Sequence, residues 1–242
     1  MEESSLPTSL QLIDAHLAAR RIDAEVIIVV ERSTDCTLEV AKELASRYPY
    51  VRVVENDGRF GKAYSVRRGI LETCAPRVLF TDADLSTPID CLDDLRAGMD
   101  EEQADCVIAN RVQMVPQPWT RRLMGFVFRH LTRVIVGAPF RDTQCGFKLF
   151  TRQFALEIFP MVNTGGFGHG FGFDVDIIAF GMARGFKIVD VRTPWYDSHH
   201  STVSPLVDSL DMFLHLFSVR KQARAMKRED SATTTRSDRA PS

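Results

Sequence analysis

Short apolar, β-branched runs alternate with helix-period segments along the first half of the chain, and this alternation restricts the fold more than any other feature. EVIIVV (25–30), VRVV (51–54), RVLFTDAD (77–84) and residues 105–109 read as strands. Helices are predicted between them, around Leu38, Ala41, Leu44 and Ala45, over 62–72 and over 88–99. Ser33, Thr34 and Asp35 supply cap residue types ahead of the first of these. Leu6, Leu10, Ile13 and Leu17 recur at helical spacing, so 6–20 forms one more helix at the start. Strand–helix–strand order implies right-handed crossovers, hence an α/β fold with a mostly parallel central sheet flanked by helices. The second half reads as a helix at 118–136, the run QCGFKLF (144–150), a helix near 173–184, a strand FKIVDV (186–191) and a last helix near 203–226.

With 242 residues, 45% of them hydrophobic, the chain can bury a full core without disulfides. A net charge of −2 provides no global field for nucleic acid, so none is expected as a partner. The five cysteines, Cys36, Cys74, Cys91, Cys106 and Cys145, form no C-x-x-C pair, and a reduced cytosolic compartment is the simplest reading. No apolar run reaches the roughly 18 residues of a membrane span. Glu2 and Glu3 stand where a signal peptide would be basic. Residues 228–242 are poor in apolar side chains and are expected to be a disordered tail.

Asp82-Ala83-Asp84 ends a buried strand. In open α/β sheets ligands bind at that end. Alternate strand positions point the same way, so both carboxylates can face one crevice. Such hard oxygen donors suit Mg²⁺ or Mn²⁺, which would neutralise a departing diphosphate. The alternative is a turn in which Asp84 or Ser86 caps the helix at 88–99.

From Val112 to Arg141 there is no acidic residue, while Arg121, Arg122, Arg129, Arg133 and Arg141 fall within the stretch. Trp119, Leu123, Phe126, Val127, Leu131 and Val134 make an apolar stripe at helical spacing, with Arg122, Arg129 and Arg133 on another face. That pattern suits either an anionic membrane interface or a core-packed helix with a solvated cationic face. The last helix repeats it, with Leu206, Leu210, Phe213, Leu214 and Phe217 followed by Arg220, Lys221, Arg224, Lys227 and Arg228.

Four segments resemble family 2 glycosyltransferases. IVVERSTDCT (28–37) is similar to the family's "VVDDGSTDGT", and FTDADLSTP (80–88) to its metal-binding segment. RDTQCGFKLF (141–150) resembles the "D-x-Q-C-G-F-K" segment of the enzymes that glucosylate dolichyl phosphate, and 172–195 resembles their "F-D-V-E…P-V-x-W" stretch. The resemblance implies a GT-A fold. It also implies a metal-dependent inverting enzyme that moves a hexose from UDP-glucose or GDP-mannose to a polyprenyl phosphate, peripheral at the cytoplasmic face of a membrane. One domain over 1–227 would hold a nucleotide-binding half (about 1–110) and an acceptor half (about 111–227).

By the same resemblance Asp84, with Asp82, holds the metal. Glu31, beside Val30 where the family has an acidic pair, and Lys62 serve the nucleotide sugar together with those two aspartates. Arg111, Arg122 and Arg141 meet the acceptor phosphate, and Asp142 acts at the active-site floor. The alternatives are a solvated Lys62 and an Asp142 paired to Arg141. Cys145 reads as a buried apolar residue rather than a nucleophile, and His199 and His200 as hydrogen-bonding groups near the diphosphate. Glu2-Glu3 looks like the end of the family's "P-x-Y-N-E-E" segment, so the strand that precedes it, central between 25–30 and 77–84, is expected to be missing. Two rival readings stay open: a GT-A transferase with a soluble acceptor such as a phosphorylated acid, and a degenerate, non-catalytic nucleotide-sugar-binding module. A dinucleotide-binding dehydrogenase is disfavoured, because no G-x-G-x-x-G follows the first strand.

Overall fold

The computed structural model describes residues 2–31, 35–59, 61–114, 119–165, 172–196 and 207–237. The chain starts with helix α1 (Glu2–Arg20), then strand β1 (Val26–Val30), α2 (Thr37–Arg47) and β2 (Val51–Glu55). Next come α3 (Lys62–Glu72), β3 (Arg77–Thr81), α4 (Cys91–Glu102) and β4 (Cys106–Gln113). The second half holds α5 (Trp119–Val136), β5 (Phe147–Thr151), α6 (Arg152–Ile158), α7 (Phe173–Ala183), β6 (Ile188–Trp195) and α8 (Val207–Ser237).

The strands fall into two sheets. β1 and β2 pair in parallel, Val26 opposite Val51 and Val30 opposite Glu55. The other sheet has the order β3-β5-β4-β6. Its β4–β6 ladder is parallel, Cys106 to Gln113 opposite Ile188 to Trp195, while β5 runs antiparallel to both β3 and β4. The parallel ladders hold most of the paired residues, and the fold is α/β with mixed sheets. Among the described residues β1 does not pair with β3, and α3 rests on both.

The alternation of strand residues explains the layers. Val78, Phe80, Cys106, Ile108 and Phe150 face one core with Phe154, Phe159, Phe173 and Ile177. Their neighbours Leu79, Val107, Ala109, Phe147 and Leu149 face the other with Leu92, Leu95 and Met99 of α4. Both sides of the larger sheet are covered, so its strands read as continuous apolar runs. α1 joins the halves. Its Leu6 and Leu10 pack with Val30, Leu44 and Val51, while Ile13 reaches the α4 core and the His16 ring bonds Asp90 at 3.0 Å.

Several boundaries differ from the sequence reading. The run 144–150 leads into a strand, β5, that ends at Thr151. β6 continues through Pro194, which is tolerated because β6 is the edge of the sheet. α8 extends to Ser237, into the segment expected to be disordered, since propagating a docked helix adds one hydrogen bond per residue fixed. All five cysteines are free thiols, with Cys91, Cys106 and Cys145 buried. No helix of the described residues is long and apolar enough to cross a membrane.

Candidate active site

β3 ends at Thr81, so both aspartates lie in the turn beyond it. The Asp82 amide donates to the Gly146 carbonyl (3.1 Å), and the Leu85 amide donates to the Asp82 carbonyl (3.2 Å). Leu85 adopts φ of 48°, a left-handed conformation that a bulky residue rarely occupies. Gly146 is required here, because a Cβ at that position would sit 2.0 Å from Asp82 Oδ2. The two carboxylates differ in surroundings. Asp82 Oδ1 is 2.6 Å from Lys62 Nζ. Asp84 is exposed and accepts the Ser86 amide and hydroxyl, each at 2.9 Å. The turn alternative thus describes a real contact.

Lys62 therefore does not project free into solvent. Burial alone would lower its pKa, but the charges of Asp82, Asp174 and Asp84 outweigh it and raise it. Phe80 separates Lys62 from a second lysine, with Nζ atoms 5.6 Å (Lys62) and 6.0 Å (Lys148) from the ring centroid. Lys148, on β5, is fully buried and bonds the Cys145 carbonyl and Asp174 of α7. This Lys148–Asp174 pair escaped the sequence reading. Its one signal was period-2 alternation: within FKLF, Phe147 and Leu149 face one core, and Lys148 the other.

Glu31 follows β1 and accepts the Gly61 amide (2.7 Å) and the Ser65 hydroxyl (3.0 Å). A carboxylate at the N-terminus of α3 satisfies orphan amides and complements the helix dipole. Glu31 thus anchors the loop that presents Lys62, in addition to facing the expected nucleotide side.

Asp142 and Arg111 form the third constellation. Arg111, near the end of β4, donates Nε (2.5 Å) and Nη2 (2.9 Å) to the Asp142 carboxylate, which also accepts the Arg111 amide (3.3 Å) and the Gln144 amide (3.2 Å). The guanidinium lies over the Trp195 ring, 5.4 Å from its centroid. Burial alone would raise the Asp142 pKa, but the charge and hydrogen bonds of Arg111 hold the carboxyl below the usual range. The partner of Asp142 is Arg111, not the adjacent Arg141, whose side chain is exposed. A carboxylate held this way is a weak base, so it serves to position Arg111. Two buried hydroxyls, Thr143 Oγ1 and Thr193 Oγ1, adjoin the pair and make no hydrogen bond among the described residues. The side chain of Arg122, and residues His199 and His200, lie outside the described residues. Cys145 is fully buried.

Asp176, two residues beyond Asp174 and so on another face of α7, accepts the Asn163 amide (3.0 Å) and bonds His215 Nε2 of α8 (2.7 Å). The His215 ring packs against Gly172, where a Cβ would come within 2.2 Å. Burial would lower the His215 pKa, but the Asp176 hydrogen bond and charge outweigh it, and the imidazole titrates above its ordinary 6.5. A raised pKa in the fold means that the contact stabilises fully below the ordinary value and is lost as pH rises through the raised one. We predict that His215→Gln lowers hydrogen-exchange protection of α8 more at about pH 6 than at about pH 9. Equal losses at both would exclude a charged His215.

Among the described residues no three His, Cys, Asp or Glu side chains gather into a metal site, and the pair those residues offer a cation here is Asp84 and Asp82. That number fits Mg²⁺ or Mn²⁺, which takes one or two carboxylates and completes its shell with phosphate oxygens and water. Asp84 is the more exposed of the two.

Comparison with known proteins adds the following. The family model "Glycosyl transferase family 2" matches residues 2–159. A dolichyl-phosphate beta-glucosyltransferase of Saccharomyces cerevisiae is 28% identical over 217 residues, covering 81% of this chain and 64% of the yeast protein. The Homo sapiens protein of that name is 27% identical over 236 residues, covering 90% of this chain and 72% of its own. The chain thus spans just under two thirds of the yeast relative. Among solved structures, glucosyl-3-phosphoglycerate synthase of M. tuberculosis superposes with a TM-score of 0.64 at 20% identity, over 92% of this chain and 76% of that one. A complex of that synthase holds Mn²⁺, UDP-glucose and phosphoglyceric acid.

Proposed function

Because the chain belongs to glycosyl transferase family 2, we propose that it transfers a glucosyl group from UDP-glucose, with GDP-mannose as the second candidate donor, to a polyprenyl phosphate. The observation that carries this reading is Asp84, an exposed carboxylate in a strained turn at the carboxyl end of β3, beside a lysine already drawn to Asp82. Relatives that act on dolichyl phosphate support the acceptor.

The chemistry follows from the groups present. An oxygen of the acceptor phosphate attacks the anomeric carbon and the bond to the nucleoside diphosphate breaks, with inversion. The attacking oxygen is already ionised near neutral pH, so no proton must be removed. That agrees with an Asp142 committed to Arg111. Arg111 offers a guanidinium to the acceptor phosphate, and its geometry matches phosphate oxygens in a bidentate fashion. Arg141 is exposed and adds positive charge to the chain beside Asp142. Lys62 offers a point charge to the donor diphosphate. A divalent cation on Asp84, shared with Asp82, would supply further positive charge against the leaving group.

Access for a lipid acceptor is supported by α5. Its Trp119 is 73% exposed and its Phe126 61%, with Leu123, Val127 and Val134 also exposed. Leu131, counted with that stripe from the sequence, packs inward with Phe128 and Ile135. A stripe left in solvent, flanked by exposed Arg129 and Arg133, argues against a merely core-packed helix and for an anionic membrane surface. Each basic residue near such a surface adds about 1 kcal/mol. Arg129→Gln with Arg133→Gln should therefore weaken sedimentation with phosphatidylglycerol vesicles about tenfold or more. Equal pelleting of variant and wild type would remove the membrane from the reading.

The whole proposal is tested by incubating the protein with labelled UDP-glucose or GDP-mannose and dolichyl phosphate, with Mn²⁺ or with EDTA. Label in the lipid phase that depends on metal is the expected result. Transfer to phosphoglyceric acid instead would favour a soluble acceptor. No transfer to either would favour the non-catalytic binding module that the break between β1 and β3 suggests.

A further inference from the structure

α3 has a second working face. Ala63, Val66 and Ile70 point into the core, and Lys62 reaches Asp82. On the opposite side Tyr64, Arg67, Arg68, Leu71 and Glu72, with Arg59 and Thr164, line an open groove of about 290 Å³. Its charges do not balance. Glu72 is taken by Arg52 at 3.0 Å. Asp57 accepts the Tyr64 hydroxyl at 2.9 Å and stands 4.0 Å from Arg59, whose guanidinium lies over the Tyr64 ring. Arg67 reaches one carbonyl, that of Val162, at 3.5 Å. Arg68 shares the charge of Asp57 with Arg59, so one carboxylate faces two arginines.

Arg67 and Arg68 are both half-buried. Removing guanidinium groups from water costs free energy unless an anion compensates. Two adjacent helix positions that bear this cost, with a third arginine across the groove, suit an anionic ligand. Guanidinium forks match phosphate oxygens better than any other common group. Tyr64 and Leu71 form an apolar wall for whatever carries the phosphate. The volume lies at the small end of ligand pockets, which run about 300–1,000 Å³, and admits a phosphorylated group rather than a whole nucleotide sugar. We propose that this groove is a second anion site, specific for a phosphate-bearing ligand and separate from the Asp82–Asp84 centre.

Calorimetric titration with inorganic phosphate, without divalent metal and at constant ionic strength, is the test. Saturable binding is expected in the wild type, unchanged in Asp84→Ala and in Arg77→Gln. Arg67→Gln with Arg68→Gln should weaken it about tenfold or more, the equivalent of at least one charged hydrogen bond. Arg59→Gln, at an exposed position where folding is not at risk, should weaken it as well. A parallel arm uses phosphatidate vesicles. If wild type pellets with them and free phosphate competes, the ligand is a lipid headgroup. If phosphate binds and the vesicles do not, the ligand is soluble. Absence of binding in both arms, or affinity unchanged in both the double variant and Arg59→Gln, would overturn the proposal.

Discussion

Replacing Asp84 with alanine should lower glycosyl transfer about a hundredfold to a thousandfold, the usual cost of removing one charge-stabilising group from a transition state. The effect should appear in kcat/KM for the nucleotide sugar, since the proposed role of Asp84 is at the departing diphosphate. Ser86→Ala provides the control. It removes the hydroxyl hydrogen bond to Asp84 and leaves the carboxylate in place, so its cost should be small. An Asp84→Ala protein with near-normal turnover that persists in EDTA would displace the site from this turn altogether.

The second large effect concerns stability. Lys148 and Asp174 form a fully buried ion pair between β5 and α7. Lys148→Ala removes one charge and leaves the other without its partner, which should cost about 3–5 kcal/mol out of a margin of about 5–15 kcal/mol. Urea unfolding would measure it. Burial already holds the Asp174 carboxyl above its ordinary range, against the pull of Lys148 and Lys62. The penalty in the variant should therefore shrink as pH falls and the carboxyl takes up a proton, because a neutral acid is cheaper to bury. Lys148→Met combined with Asp174→Leu should recover most of the loss. A Lys148→Ala protein within about 1 kcal/mol of wild type at neutral pH would show that the pair is not closed in solution.

The sequence made the first half of the fold legible for a physical reason. β1, β2, β3 and β4 are short β-branched or apolar runs closed by turns, and α3 and α4 carry their apolar residues at helical spacing. β5 was not legible as a strand because Gln144, Gly146 and Lys148 interrupt its run, and a lysine argues against burial unless its partner is known. That partner, Asp174, lies 26 residues away. Distance hid Asp142 in the same way: Arg141 is its neighbour in sequence, whereas Arg111 reaches it from 31 residues upstream. Asp82 and Asp84 could be found because the strand that aims them immediately precedes them. That Asp82 is shared with Lys62 could not, since a loop lysine has no sequence signal for where its ammonium rests. The His215–Asp176 contact depends on how α8 returns to α7, a packing choice that periodicity does not encode.

The break in the sheet also bears on how this chain behaves in company. VIIVV of β1 has no charge, no proline and no glycine, and RVLFT of β3 has a single charge at its start. Uncharged β-rich segments with free ladder groups are templates for strands of other molecules. Within the fold, α3 lies over both, packed so closely that a Cβ at Gly69 would come within 2.8 Å of Val29. Colloidal stability of the protein is thus tied to one helix staying seated. A substitution such as Gly69→Val, which lifts α3, would present the β1 and β3 edges, unpaired among the described residues, to neighbouring chains and turn a local packing fault into concentration-dependent precipitation.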